Sequence, residues 1–248
     1  MNKALVASLI LVLSYLTTSA QVKVYSGLDV GFSVVLPKDA DIGNVVSSKS
    51  YAGTWGLILG VDIKDKWQIE SGYINSRNSY NYDYVYYANG GVTYNALGVY
   101  SNVFRSDVFP LRFKKKIKKN KVRISPSLGV VFLKVNQSKE YNAYYDDLRS
   151  IDEIETYQIS TSSQELYVKD FQTYLEGAIT LQAPFILEPL NIFVKGSYAY
   201  GLTKLAKSRV NYNISDLDIE GEFNAQNRLS YLNFSIGLIY TLKEFKKS

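Results

Sequence analysis

Any chemistry this chain performs has to be built without histidine or cysteine, because its 248 residues contain neither. A Ser-His-Asp triad, a histidine general base, a thiolate nucleophile and the His/Cys zinc sets are therefore excluded, and a catalytic role is not expected. Carboxylates and lysines remain. Acidic residues gather at Asp146-Asp147, at Asp152-Glu153-Glu155, and at Asp216, Asp218, Glu220 and Glu222. Oxygen ligands of this kind could hold Ca²⁺ or bridge to lipopolysaccharide through divalent cations, but the spacing is not that of an EF-hand loop. They read as solvated charges, and no cofactor or metal is expected. With no cysteine there is no disulfide framework either, so backbone ladders and packing must hold the fold.

Two further sets draw attention by their spacing. Tyr80, Tyr82, Tyr84, Tyr86 and Tyr87 crowd one segment of a chain that holds 22 tyrosines and 11 phenylalanines. Tyrosine supplies rigid amphipathic contact area, which suits an external recognition loop; the same period of two also fits a strand with rings along one face. Lys114, Lys115, Lys116, Lys118, Lys119 and Lys121 form a basic cluster, read either as a solvated turn or as a patch for anionic headgroups.

The elements that position these residues are strands. Eight runs alternate an apolar face with a small or polar one, beginning near Val22, Tyr51, Trp67, Val99, Val122, Phe171, Leu190 and Tyr231. From Val22 to Leu36 the even positions are apolar but for Ser26, including Val22, Val24, Leu28, Val30 and Phe32. In the second run Tyr51, Trp55, Leu57 and Leu59 oppose Thr54, Gly56, Gly60 and Asp62. The polar faces carry Asp29, Asp62, Glu70, Arg112, Arg123, Glu176 and Lys195, which would meet and pair inside a closed sheet. An eight-stranded barrel has an interior just wide enough for side chains to fill it, so these charges plug the lumen or else line a narrow ion path.

Connection lengths sort into two classes. Short turns fall at 64–66, 115–121 and 184–189, and long ones at 37–50, 76–97, 136–169 and 203–228. Short periplasmic turns with long external loops are the layout of outer-membrane barrels. The expected fold is thus all-β: an eight-stranded antiparallel up-and-down transmembrane barrel, with a soluble secreted lipocalin-like barrel as the alternative. Residues 1–20 follow the order of a secretory signal peptide, a lysine, an apolar run and a small-residue cleavage site, which leaves one barrel domain over 21–248. The net charge of +5 does not call for nucleic acid.

The segment Phe109-Pro110-Leu111-Arg112-Phe113-Lys114, the basic turn, and Val122-Arg123-Ile124-Ser125-Pro126-Ser127-Leu128-Gly129-Val130 resemble the central hairpin of the Bacteroidetes outer-membrane β-barrel family of porT type, one of the OmpA-like small barrels. The run Asn233 to Leu242 is similar to the closing strand of such barrels. The resemblance implies an outer-membrane location, contact with its lipid and lipopolysaccharide, and handling by the barrel assembly machinery. It implies no assigned reaction. A structural or surface-interaction role through the external loops is the leading expectation, beside an accessory role in protein secretion or a narrow channel.

Overall fold

The computed structural model describes residues 21–36, 41–42, 45–87, 93–119, 121–142, 146–150, 156–185 and 189–245. The expected signal segment 1–20, with its cleavage after Ala20, and the acidic group 152–155 lie outside the described residues. Eight strands form a closed ring: β1 (Val22–Val35), β2 (Ser50–Ile63), β3 (Trp67–Tyr87), β4 (Thr93–Lys115), β5 (Val122–Asn142), β6 (Phe171–Pro184), β7 (Leu190–Gly201) and β8 (Tyr231–Phe245). Each pairs antiparallel with its sequence neighbour, and β1 closes on β8 with Val35 opposite Tyr231 and Val22 opposite Phe245. This is an up-and-down barrel of eight strands.

The alternation seen in the sequence sets which way each side chain points, because successive residues of a strand face opposite sides. Leu28, Val30, Phe32, Trp55, Leu57, Leu59, Ile69, Leu111, Leu128, Leu175, Ile179, Val194, Phe234 and Ile236 are all exposed on the outer wall, Leu128 by 76%. Aromatic rings bound this belt. Trp67 stacks on Phe113 at its short-turn edge, while Tyr73 contacts Trp55 and Phe109 nearer the long-loop edge. Inside, the same strands bury Asp29, Thr54, Asp62, Glu70, Ser125, Glu176, Thr180, Lys195 and Ser235. The soluble lipocalin-like alternative needs the reverse, with apolar faces inward.

One stretch of β1 departs from the expected parity. Val22 has the parity of the outer face and yet is buried, beside a shift in the β1–β8 register between Val24 and Tyr25 that leaves Leu242 of β8 as the extra residue. Tyr25 shares the inward parity of Asp29, and its ring lies over Gly60, whose missing Cβ leaves the space. Another local signature sits at the β2–β3 turn, where Lys64 and Asp65 take φ of 55° and 51° and Lys66 N–H donates to the Ile63 carbonyl at 3.1 Å. Two positive φ values match the right-handed twist of the flanking strands.

The segments expected as long loops are largely strands. β3, β4 and β5 run 21, 23 and 21 residues, about twice the 9–11 that cross a bilayer, so their upper halves stand clear of the belt. On this tall side the sheet continues sideways through Asp146–Ser150, Thr156–Val168, Ala206–Ile214 and Ile219–Asn227, and in the other direction through Val45–Ser48 and Asp41–Ile42. The extension curls over the barrel mouth around a second core that includes Tyr80, Tyr82, Tyr84, Tyr100, Phe104, Leu133, Val210 and Phe223. At the other end the basic turn is shorter than expected, since Ile117–Lys119 pairs back on Val122–Ile124.

Substituting Gly60 by Val drives a side chain into the Tyr25 ring and is expected to cost about 1–3 kcal/mol through overpacking. A lowered urea midpoint for refolded protein in detergent checks it.

Candidate functional site

Arg112 is the centre of the lower lumen. It projects inward from β4 between β3 and β5, where the register sets it opposite Glu70 on one side and Gly129 on the other. Gly129 offers no side chain, and the guanidinium reaches past it to β6. There Nε donates to Glu176 Oε2 at 2.7 Å and Nη2 to Glu176 Oε1 at 3.1 Å, a two-point grip on one carboxylate, while Nη1 donates to Glu70 Oε1 at 3.1 Å. Glu70 also accepts from Lys114 Nζ at 2.6 Å and from the Tyr25 hydroxyl at 3.2 Å. Lys195 pairs with Asp29, and Lys116 with Asp62.

Among the described residues the buried ionised side chains are Asp29, Asp62, Glu70 and Glu176 against Arg112, Lys114, Lys116 and Lys195, four of each sign. That balance answers the cost of removing charge from water, which is recovered only when every ion has a close, well-oriented partner. Of the seven residues expected in the lumen, the structure brings Glu70, Arg112 and Glu176 into direct contact and places the Asp29–Lys195 pair beside them. Asp62 sits lower, at the short-turn mouth. Arg123 is half-buried at that mouth and pairs with none of the others.

Lys114 and Lys116 correct the reading of a solvated basic turn: both are buried in the lumen. The signal was present, since Arg112, Lys114 and Lys116 share one parity and so one face of β4 and its continuation. Lys115, of opposite parity, points outward, its ammonium 5.7 Å from the Trp67 ring centre.

Above the ions the lumen changes character. Tyr174 packs on Tyr231, and Val131, Leu133, Ala199 and Leu205 are buried over them, so the aromatic core seals the barrel from the tall side. The tyrosine ladder belongs to that seal. Tyr80, Tyr82 and Tyr84 are at most 1% exposed, which corrects the expectation of an external recognition loop there in favour of the strand reading. Tyr86 is half-buried against Tyr94, and only Tyr87 stands out.

Two polar clamps hold the extension down. The Tyr82 hydroxyl donates to the Gln226 carbonyl at 2.8 Å and accepts from the Gln226 N–H at 2.9 Å. Glu140 on β5 accepts from the hydroxyls of Tyr100 on β4, Ser163 on the Thr156–Val168 strand and Ser208 on the Ala206–Ile214 strand. Burial above all, with Glu140 beside it, holds the Tyr100 phenol above its ordinary range, so it stays a neutral donor. The outer face of the same three-stranded sheet is polar. It forms a shallow trough of about 680 Å³ lined by Ser160, Ser162, Asn211, Asn213, Glu220 and Glu222. The two glutamates are engaged, Glu220 accepting from Asn213 at 2.7 Å and Glu222 pairing with Arg209 at 3.2 Å.

Replacing Arg112 by Met strands Glu176 in the lumen and is expected to cost about 3–5 kcal/mol, part of it recovered when Glu176 is also made Met. Chemical unfolding of the single and double variants checks the coupling. Glu140→Ala leaves three hydroxyls without their acceptor and should weaken the extension by about 1–3 kcal/mol. Faster protease nicking within 156–227, with the barrel fragment still protected in detergent micelles, is the readout.

No family model matches the sequence, and no curated protein matches it. Three solved structures are similar in outline. The outer membrane protein OprG from Pseudomonas aeruginosa is 12% identical, with 89% of this chain and 97% of that chain covered and a TM-score of 0.45. A major outer membrane protein from Thermus thermophilus is 12% identical, covering 88% and 98%, with a TM-score of 0.40. Ail, the attachment invasion locus protein of Yersinia pestis, solved with the heparin analogue sucrose octasulfate, is 11% identical, covering 88% and 99%, with a TM-score of 0.35.

Proposed function

We propose that this chain is an integral outer-membrane β-barrel protein with a non-catalytic structural or surface-interaction role, exported by residues 1–20 and exposing the folded extension of β3, β4 and β5 outside the cell. The observation that carries the reading is the inverted solvation of the barrel. Its outer wall is a continuous apolar belt edged by aromatic rings, and its charges face inward and neutralise one another. A closed ring meets the other requirement of a bilayer, that no strand edge be left without hydrogen bonds in hydrocarbon. Short turns then lie in the periplasm and the extension outside, in contact with lipopolysaccharide, with insertion by the barrel assembly machinery.

The interior speaks against the narrow-channel alternative. A solute would have to pass the Arg112 ion pairs and then the buried aromatic core, which supports a filled lumen over a conducting one. The polar trough on the extension is the surface best formed to meet an external partner. Its amides, hydroxyls and carboxylates suit hydrogen bonding to a hydrated glycan more than apolar docking.

Cell fractionation with heat-modifiable gel mobility tests the location; recovery of folded protein from the soluble periplasm sinks it. In vesicles, Leu128→Arg places a cation mid-belt and is expected to destabilise the barrel by about 2–4 kcal/mol. Planar-bilayer recordings should show no stable conductance. An unchanged secreted proteome in a deletion strain separates this role from a porT-type secretion accessory.

A further inference from the structure

Below the ion network, at the short-turn end, the barrel opens into a cavity of about 320 Å³. Two clusters face each other across it. Lys23, Asp62 and Gln68 stand side by side on β1, β2 and β3, since Lys23 is opposite Asp62 and Asp62 opposite Gln68 in the register. Arg123 and Gln182 are opposite each other on β5 and β6. The Tyr25 ring also lines the cavity, and its hydroxyl bond to Glu70 ties it to the network above, so the cavity is a dead end.

The bonding capacity of these groups is only partly used. Lys23 is engaged by Asp65 at 3.3 Å and Glu244 at 3.6 Å, and Asp62 gives Oδ2 to Lys116. The Asp62 Oδ1 atom is buried and meets no donor. Gln68 and Gln182 are each only 5% exposed, yet among the described residues their amides have no hydrogen-bond partner. Arg123 makes no close ion pair among them, its charge reaching Asp65 only at longer range. Each of these lines the same cavity. Seven other buried oxygens, all of hydroxyl groups, also lack a partner among the described residues, but here Asp62 Oδ1, two amides and a guanidinium converge on one open space, which marks it as a space that can be filled.

We propose that the cavity binds the free C-terminal end of a short peptide. The guanidinium of Arg123 presents a planar fork matched to a carboxylate. Gln68 and Gln182 each offer a donor and an acceptor, the complement of a peptide group, and Asp62 Oδ1 accepts from a peptide N–H. The charge balance favours a carboxylate over a phosphate. Lys23 and Arg123 in the lining, with Lys116 beside it, are offset by Asp62, Glu244 and the neighbouring Asp65, which leaves no surplus positive charge for a dianion. A monoanion with N–H donors uses every orphan, whereas a phosphate leaves Asp62 Oδ1 facing another acceptor.

The test uses the full chain folded in detergent micelles and three probes: trialanine, trialanine C-terminal amide and inorganic phosphate, each titrated by calorimetry. Because the cavity lies inside the wall, the result does not depend on which membrane surrounds the belt. Trialanine should bind, with the amide about tenfold weaker or more for want of the charge-assisted contact. Arg123→Gln should erase the preference for the acid over the amide, and Gln182→Leu should weaken trialanine several-fold, with heat-modifiable mobility unchanged in both. The proposal is overturned by equal binding of acid and amide, by phosphate binding more tightly than trialanine, or by no heat from trialanine up to about 10 mM. The comparison of acid with amide on the unmodified protein decides the matter even if a variant fails to fold.

Discussion

Closure of the sheet between β1 and β8 is the contact on which everything else rests. A strand inside hydrocarbon cannot borrow hydrogen bonds from water, so every N–H and C=O must find a partner strand, and the ring is complete only when Val22–Val35 meets Tyr231–Phe245. Eight strands make a narrow ring. Its interior must be filled with side chains, and the filling cannot be apolar throughout, because the alternation that greases the outside leaves the polar positions inside.

The protein fills that interior in two ways, stacked along the barrel axis. The lower half is an ion network, four carboxylates against four cations with Arg112 joining Glu70 to Glu176. The upper half and the extension are an aromatic core stitched by the Tyr82 and Glu140 clamps. The change falls near Tyr174 and Tyr231, which pack together above the ions. Once strands stand in water their outer faces become polar, and the apolar burden shifts to the inside. Arg105, Ser162 and Asn211 outside, with Phe104, Thr161 and Val210 inside, show the exchange.

Much of this is legible in the residues alone. The period of two sets the orientation of β2 and β6 residue by residue, because nothing in those strands interrupts the pleat. Residues 80–87 are ambiguous for a physical reason: tyrosine has both a wettable hydroxyl and a large apolar ring, so the same spacing serves a surface or a core. Val22 escapes the pattern because it lies beside the register shift at Leu242 of β8, and hydropathy does not record where a bulge falls. Lys114 and Lys116 are hidden by composition, since a crowd of lysines looks like a turn even where parity places two of them inside. The mouth cavity is illegible altogether, because it is assembled from strands far apart in the chain and meets only on closure.

The unequal strand lengths have a mechanical meaning. The β3–β4 hairpin runs from the turn side of the belt to its outermost rungs at Tyr87 and Thr93, with one register shift between Tyr82 and Tyr84. A pull on that tip acts along the strands, so it loads the ladders to β2 and β5 in shear, with many rungs resisting together instead of unzipping in sequence. The tall side of the barrel is therefore a mast stepped into the belt, stiff along its own axis and able to pass a tug at its tip straight into the barrel wall.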